Sequence, residues 1–300
     1  MQHVKIVEVG PRDGLQNEKQ QVPLAAKLEL IRRLAGAGFA AIEAGAFVSP
    51  KWVPQMADSA ELLKALDASD TIDTIAYPVL VPNEQGLDAA LAAGAREIAV
   101  FGAASESFSQ KNINASIAES LRRFESVMRR AQAANIRVRG YVSCVVGCPY
   151  EGQVAPAKVA EVAAALLDMG CYEISLGDTI GVGTPASVHL MLDAVLRKAP
   201  ADRLAGHFHD TYGMAIANIR AALDSGIRVF DASVAGLGGC PYARGASGNV
   251  ASEDVAYLLQ GEGYHTGIDL TKLVAAAWYI ADALGKPPAS KLAHALGRQA

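Results

Sequence analysis

Residues 168–176 read Asp168-Met169-Gly170-Cys171-Tyr172-Glu173-Ile174-Ser175-Leu176. An Ala-rich stretch with helical periodicity ends at Gly170, and a β-rich run begins at Tyr172. Gly170 stands where a left-handed cap closes a helix before the chain turns into a strand. The same junction recurs along the chain. Ala92-Ala93-Gly94-Ala95 precedes Glu97-Ile98-Ala99-Val100-Phe101, and Asp224-Ser225-Gly226-Ile227 precedes Arg228-Val229-Phe230-Asp231-Ala232-Ser233. Gly38 likewise separates an amphipathic stretch (Leu24, Leu28, Ile31, Leu34) from the run that starts at Phe39. Counting outward from these junctions gives eight strand candidates, at 4–9, 39–44, 73–80, 97–101, 136–143, 172–176, 204–209 and 228–233. Helices are expected at 24–37, 52–66, 84–93, 114–134, 156–169, 186–198, 213–225 and 250–260. Strict alternation implies parallel strands, and eight units in about 260 residues predict a closed (β/α)8 TIM barrel. An open doubly wound sheet is the alternative, but the first turn, Gly10-Pro11-Arg12-Asp13-Gly14, is not G-x-G-x-x-G. Residues 1–263 are read as the barrel. Residues 264–300, with an extra helix near 269–284, are read as an appendage of the same domain.

Composition agrees with a packed α/β core. The 300 residues are 51% hydrophobic but only 6% aromatic, so Ala, Val, Leu and Ile carry the core. A net charge of −4 argues against nucleic acid as a partner. No run of about 20 apolar residues offers a membrane span. Four cysteines are too few for a disulfide framework in so long a chain, and the N-terminus lacks a signal peptide. The expectation is a cytoplasmic protein.

In a barrel of this kind the active site sits at the C-terminal ends of the strands. The chemically unusual residues collect there: Arg12, Asp13 and Gln16 after strand 1, Glu43 in strand 2, Tyr141 and Ser143 in strand 5, Asp178 after strand 6, and His207 and His209 in strand 7. Residues two apart on a strand face the same side, so His207 and His209 point together into the mouth. Asp13 and Asn249 join them from neighbouring sectors once the barrel closes. Two nitrogens with carboxylate and amide oxygens suit Mg²⁺ or Mn²⁺, or a borderline Zn²⁺. The bland reading is a pair of satisfied histidines at a strand end. Arg12 has two readings, an oxyanion stabiliser and a salt bridge to Glu43 or Asp178. Cys240 lies in a glycine-dense loop, 236–248, read either as a catalytic acid on a lid or as an adventitious thiol. Lys19, Lys111 and Asn112 fall in loops on the same face, where they could meet the phosphates of a nucleotide-bearing substrate. Cys144 and Cys148 are read as packing thiols and Cys171 as barrel core.

Several long stretches carry a resemblance: Val7 through Glu18, Phe47 through Met56, Phe101 through Glu106, Ser175 through Thr184, and Ser233-Val234-Ala235-Gly236-Leu237-Gly238-Gly239-Cys240-Pro241-Tyr242. Over roughly residues 4–290 the chain resembles the 3-hydroxy-3-methylglutaryl-CoA lyase family of the TIM-barrel metallolyase superfamily. The resemblance implies retro-Claisen cleavage of 3-hydroxy-3-methylglutaryl-CoA to acetyl-CoA and acetoacetate, in leucine degradation and ketone-body metabolism. It implies metal ligation by Asp13, His207, His209 and Asn249, and stabilisation of the acetyl-CoA enolate by Arg12. Cys240 would protonate the carbanion, Glu43, Asp178 and Glu253 would support the site, and Gln16, Tyr141 and Ser143 would line the substrate pocket. The hydroxyl proton is assigned to His207 or Asp13. A homodimer is expected from the family and from the apolar face of the C-terminal helix. The rival readings are a lyase for a longer 3-hydroxy-3-alkylglutaryl-CoA, a Claisen-type synthase of the same superfamily, and a non-catalytic barrel that binds metal or acyl-CoA.

Overall fold

The computed structural model describes residues 2–68, 73–239 and 248–298. Its barrel strands are β1 (Lys5–Glu8), β2 (Gly45–Ala46), β3 (Val79–Leu80), β4 (Glu97–Ala103) and β5 (Arg137–Ser143). A small antiparallel hairpin, β6 (Gly147–Cys148) with β7 (Gly152–Gln153), follows. The barrel resumes with β8 (Ile174–Asp178), β9 (Leu204–Phe208) and β10 (Val229–Ala232). The strand order is β1-β10-β9-β8-β5-β4-β3-β2, parallel throughout. The circle closes between β1 and the segment before β2. Glu8 pairs with Ile42, Glu8 N donates to Ala41 O at 3.0 Å, and Glu43 N donates to Glu8 O at 2.8 Å. The expected (β/α)8 barrel is therefore the fold.

The helices are α1 (Leu24–Gly36), α2 (Ser59–Asp67), α3 (Glu84–Ala92), α4 (Glu106–Ile113), α5 (Ile117–Ala133), α6 (Pro156–Asp168), α7 (Pro185–Val195), α8 (Ala215–Asp224), α9 (Ser252–Gly261), α10 (Leu270–Leu284) and α11 (Lys291–Leu296). None of the described helices is long and apolar enough to cross a membrane. The single helix expected at 114–134 starts at Ile117, because Asn114 is left-handed (φ 49°) and Ser116 caps α5 by accepting from Glu119 N. The chain before Asn114 forms a separate helix, α4. Strand 2 is shorter and later than expected. Its apolar run pairs at Ala41 and Ile42, but the continuous strand is only Gly45–Ala46. Residues 10–14 form a π-helical turn, which no periodicity in the sequence announces.

Strand alternation divides the core in two. Ile98, Val100, Val138, Val142, Ile174 and Leu176 are buried between sheet and helices. Arg139, Tyr141, Ser175, His207 and Asp231 occupy the other face, inside the barrel. The capping glycines behave as the junction pattern requires, with φ of 102°, 86°, 105° and 90° at Gly38, Gly94, Gly170 and Gly226. Gly38 also lies against the segment leading to α10. A Cβ there would stand 2.2 Å from Gly267 O, and Asp269 N donates to Ala37 O at 2.8 Å. Helix α10, with Leu273, Val274, Ala277 and Ile280 buried, then packs against α1. We expect Gly38→Ala to destabilise the protein by about 2–4 kcal/mol, from backbone strain plus displacement of the Gly267 segment. Urea unfolding measures it, and a loss below about 0.5 kcal/mol would mean that this contact yields freely.

Candidate active site

A cavity of about 880 Å³ opens at the C-terminal end of the barrel. Arg12, Asp13, Tyr141, Ser143, His207 and His209 reach it from three different strands or their loops. Asp13, His207 and His209 each present a ligand atom, and these atoms lie within 4.8 Å of one another. His207 Nε2 is 3.9 Å from Asp13 Oδ2. His209 Nδ1 is buried and has no hydrogen-bond partner among the described residues. Two imidazoles and a carboxylate gathered this closely fit a divalent cation. Asn249 stands next to the cluster. Its amide, as oriented, donates to Asp13 Oδ2 at 2.8 Å and to Leu237 O at 3.2 Å.

The register explains how His207 is held. Asp231 of β10 is its direct partner across the sheet, and Asp231 Oδ2 lies 3.1 Å from His207 Nδ1. That contact orients the ring and leaves Nε2 facing Asp13, a carboxylate–histidine arrangement typical of metal ligands. Burial opposes a charge on His207, but the hydrogen bond and charge of Asp231 outweigh it and raise its pKa. Burial and the neighbouring His207 push His209 down to about 4. Burial pushes the Asp13 carboxyl up, yet Arg12, His207 and His209 together hold it at about 2.

Arg12 leaves the π-helical turn pointing into the cavity. Its Nε donates to Glu43 Oε2 at 2.7 Å and its Nη1 to Asp13 Oδ1 at 2.7 Å. The Tyr141 hydroxyl is 3.2 Å from the same Glu43 oxygen, and the Arg12 guanidinium lies 5.5 Å from the Tyr141 ring centre. Of the two salt bridges considered for Arg12, Glu43 makes it and Asp178 does not. Asp178 follows Gly177, so alternation turns its side chain to the opposite face. There it accepts from Gly183 N at 2.7 Å and shapes the loop after β8.

Gln16, Lys111 and Asn112 line the cavity, and Lys111 Nζ stands 4.5 Å from the Tyr150 ring centre. Lys19 is exposed and does not line it. Cys240 lies outside the described residues, as does most of its loop. Cys144, Cys148 and Cys171 are buried, as packing thiols should be.

Three residues were missed in the sequence: Asp231, Arg139 and Glu8. Each is a buried charge within a strand, and Asp231, the one charge in Val229–Ala232, gave the clearest signal. Glu8 accepts from Gly10 N (2.7 Å), Val234 N (2.9 Å) and Ser252 Oγ (2.5 Å). Glu253 accepts from Ala235 N at 2.9 Å, holding a non-glycine residue at φ 60°. Together they fix residues 233–237 at the base of the glycine-dense loop.

Residues 3–280 match the HMGL-like family. The chain is 61% identical to the mitochondrial hydroxymethylglutaryl-CoA lyase of Bos taurus, over 97% of this chain and 89% of that protein. A hydroxymethylglutaryl-CoA lyase structure from Pseudomonas aeruginosa is 57% identical, with a TM-score of 0.95, covering 98% of this chain and 97% of that one. An HMG-CoA lyase from Acinetobacter baumannii, in complex with coenzyme A and 3-methylmalate, is 36% identical, with a TM-score of 0.92, covering 99% and 96%. The cytoplasmic expectation is overturned here, because the cattle and macaque relatives are mitochondrial enzymes by name. Free thiols do not distinguish one reducing compartment from another.

Burial pushes the Glu8 carboxyl up to about 7 and that of Glu253 up to about 8, against an ordinary value of 4.5. A carboxyl raised by folding binds its proton more tightly in the folded state. Its stabilising contribution is full below about pH 4.5 and is lost as the pH rises through 7–8. Thermal melts in chelator should therefore show stability falling from pH 5 to 8. Glu253→Gln should shrink that fall, and parallel curves for the two proteins would contradict it.

Proposed function

The chain belongs to the HMGL-like family, and from that premise we propose how its site works. It is a carbon–carbon lyase that cleaves 3-hydroxy-3-methylglutaryl-CoA to acetyl-CoA and acetoacetate. The synthase, longer-chain and non-catalytic readings are not favoured. The observation that carries the site assignment is the convergence of Asp13, His207 and His209 with Arg12 in one cavity. Asp13, His207, His209 and Asn249 would hold a divalent cation, Mg²⁺ or Mn²⁺. Such an ion supplies Lewis-acid polarisation of the substrate's hydroxyl and carboxylate oxygens.

The chain's own residues do the rest. The tertiary hydroxyl proton passes to His207 or Asp13, which lets C–O become C=O while the C2–C3 bond breaks. The bonding pair moves to C2, and negative charge develops on the thioester oxygen. Arg12 is fixed by Glu43 and Asp13 before substrate arrives, so it can stabilise that oxygen without reorganising. Tyr141, Ser143 and Gln16 orient the acyl group. Cys240 donates the proton that turns the C2 carbanion into the methyl group of acetyl-CoA. Lys111 and Asn112 sit on the cavity wall where a phosphate-bearing CoA tail would leave. Glu253 supports the Asn249 side, and Asp178 acts through the loop after β8. Residues 1–263 make the catalytic barrel, 264–300 its helical appendage, and the working unit is a homodimer.

Asp13→Ala should abolish tight Mn²⁺ binding and lower kcat by about a thousandfold or more, the scale of losing charge stabilisation at a reacting centre. Acetoacetate release with Mg²⁺ or Mn²⁺ is the assay. Near-normal turnover by this variant would remove Asp13 from the site. Cys240→Ala should keep Mn²⁺ affinity and lose most of kcat, and near-normal turnover would exclude Cys240 as the acid.

A further inference from the structure

Arg139 projects from the middle of β5 into the barrel and is 1% exposed. Its Nε donates to Glu173 Oε1 at 2.7 Å. Its Nη2 donates to Asp231 Oδ1 at 2.8 Å, and its Nη1 to Asp231 Oδ2 at 3.1 Å and to the Tyr141 hydroxyl oxygen at 3.0 Å. A guanidinium can only donate. Tyr141 must therefore accept from Arg139, and its one proton is directed to Glu43 Oε2. That oxygen is the one that holds Arg12.

The second branch runs through Asp231. It accepts two bonds from Arg139 and one from Ser175 Oγ at 2.6 Å, which pins the carboxylate. Oδ2 then faces His207 Nδ1 as an acceptor, so Nδ1 carries the proton and Nε2 is left for the Asp13 side. One buried cation thus ends two chains of hydrogen bonds, one at His207 and the other at Arg12.

We infer that Arg139 is a positioning residue for the lyase reaction, setting the tautomer and aim of His207 through Asp231 and the aim of Arg12 through Tyr141 and Glu43. This rests on the site assignment above. Glu173 provides an internal control. It shares the same guanidinium, but it sits at the opposite end of the barrel, 3.4 Å from Lys5.

The test uses the full-length chain, with ¹⁵N spectra of its histidines in the metal-stripped state and Mn²⁺ titration. Wild type should show His207 protonated on Nδ1. Arg139→Met should give a mixed tautomer, Mn²⁺ affinity lower by about 10–100-fold, and a lower kcat. Arg139→Lys keeps the charge but not the fork, and should fall between the two. Glu173→Gln should lower Tm while Mn²⁺ affinity stays within about twofold, since it removes a charge partner of the same guanidinium on the far side. Wild-type Mn²⁺ affinity and an unchanged His207 tautomer in Arg139→Met would overturn the proposal and leave Arg139 a purely structural residue. Should that variant fail to fold, the same result in Arg139→Lys overturns it. Wild-type protein with the expected tautomer and Mn²⁺ binding, but no acetoacetate, would sink the lyase reading and not the positioning role.

Discussion

Charges buried inside a closed barrel have no solvent to turn to and must satisfy one another. Arg12, Glu43, Arg139, Glu173, Asp231 and His207 are all nearly or fully buried. Isolated, any of them would carry a large desolvation cost. Assembled, each cation meets carboxylates and each carboxylate meets donors. The geometry of the cavity follows from that requirement. Arg12 points where Glu43 and Asp13 hold it, and His207 turns as Asp231 dictates. The site is preorganised because its components could not otherwise be buried.

Packing outside the barrel serves a different purpose. Apolar strand residues bind the helices, and glycine caps let each helix turn sharply into the next strand. Three buried carboxylates on this side, Glu8, Glu253 and Asp178, accept backbone N–H groups and shape loops. They touch the reacting region only through the segments they hold. The same strands thus carry chemistry on one face and loop architecture on the other, separated by the period of two.

Much of this was legible in sequence because it rests on short-range rules. The Gly-strand junctions gave the barrel, and His207-x-His209 with Arg12-Asp13 gave the centre of the cavity. What escaped depends on tertiary register. Asp231 matters because it lies beside His207 across the sheet, and no spacing within one strand reveals that. Asp178 was grouped with Arg12 by its position at a strand end, but one residue of alternation sends it to the other face. Strand 2 was misplaced because its apolar run resembles a paired strand, while closure of the barrel needs only a few of its backbone groups. The compartment was misjudged because composition reports a redox environment and not an address.

Closure between the first and last strands has a consequence for how the chain reaches this state. β1 pairs with β10 from Lys5–Val229 to Glu8–Ala232, and Val4 N donates to His265 O at 3.0 Å. The strand β1 waits for more than two hundred residues of synthesis before one of its two neighbours, β10, exists. Until then one edge of it is unpaired, and Arg139 and His207 lack Asp231. Such long-range pairing is slow to form, and an unpaired apolar edge invites association with other chains. Val229–Ala232 and His265 therefore act as the latch of the fold, and a chain cut short before them leaves the ring open.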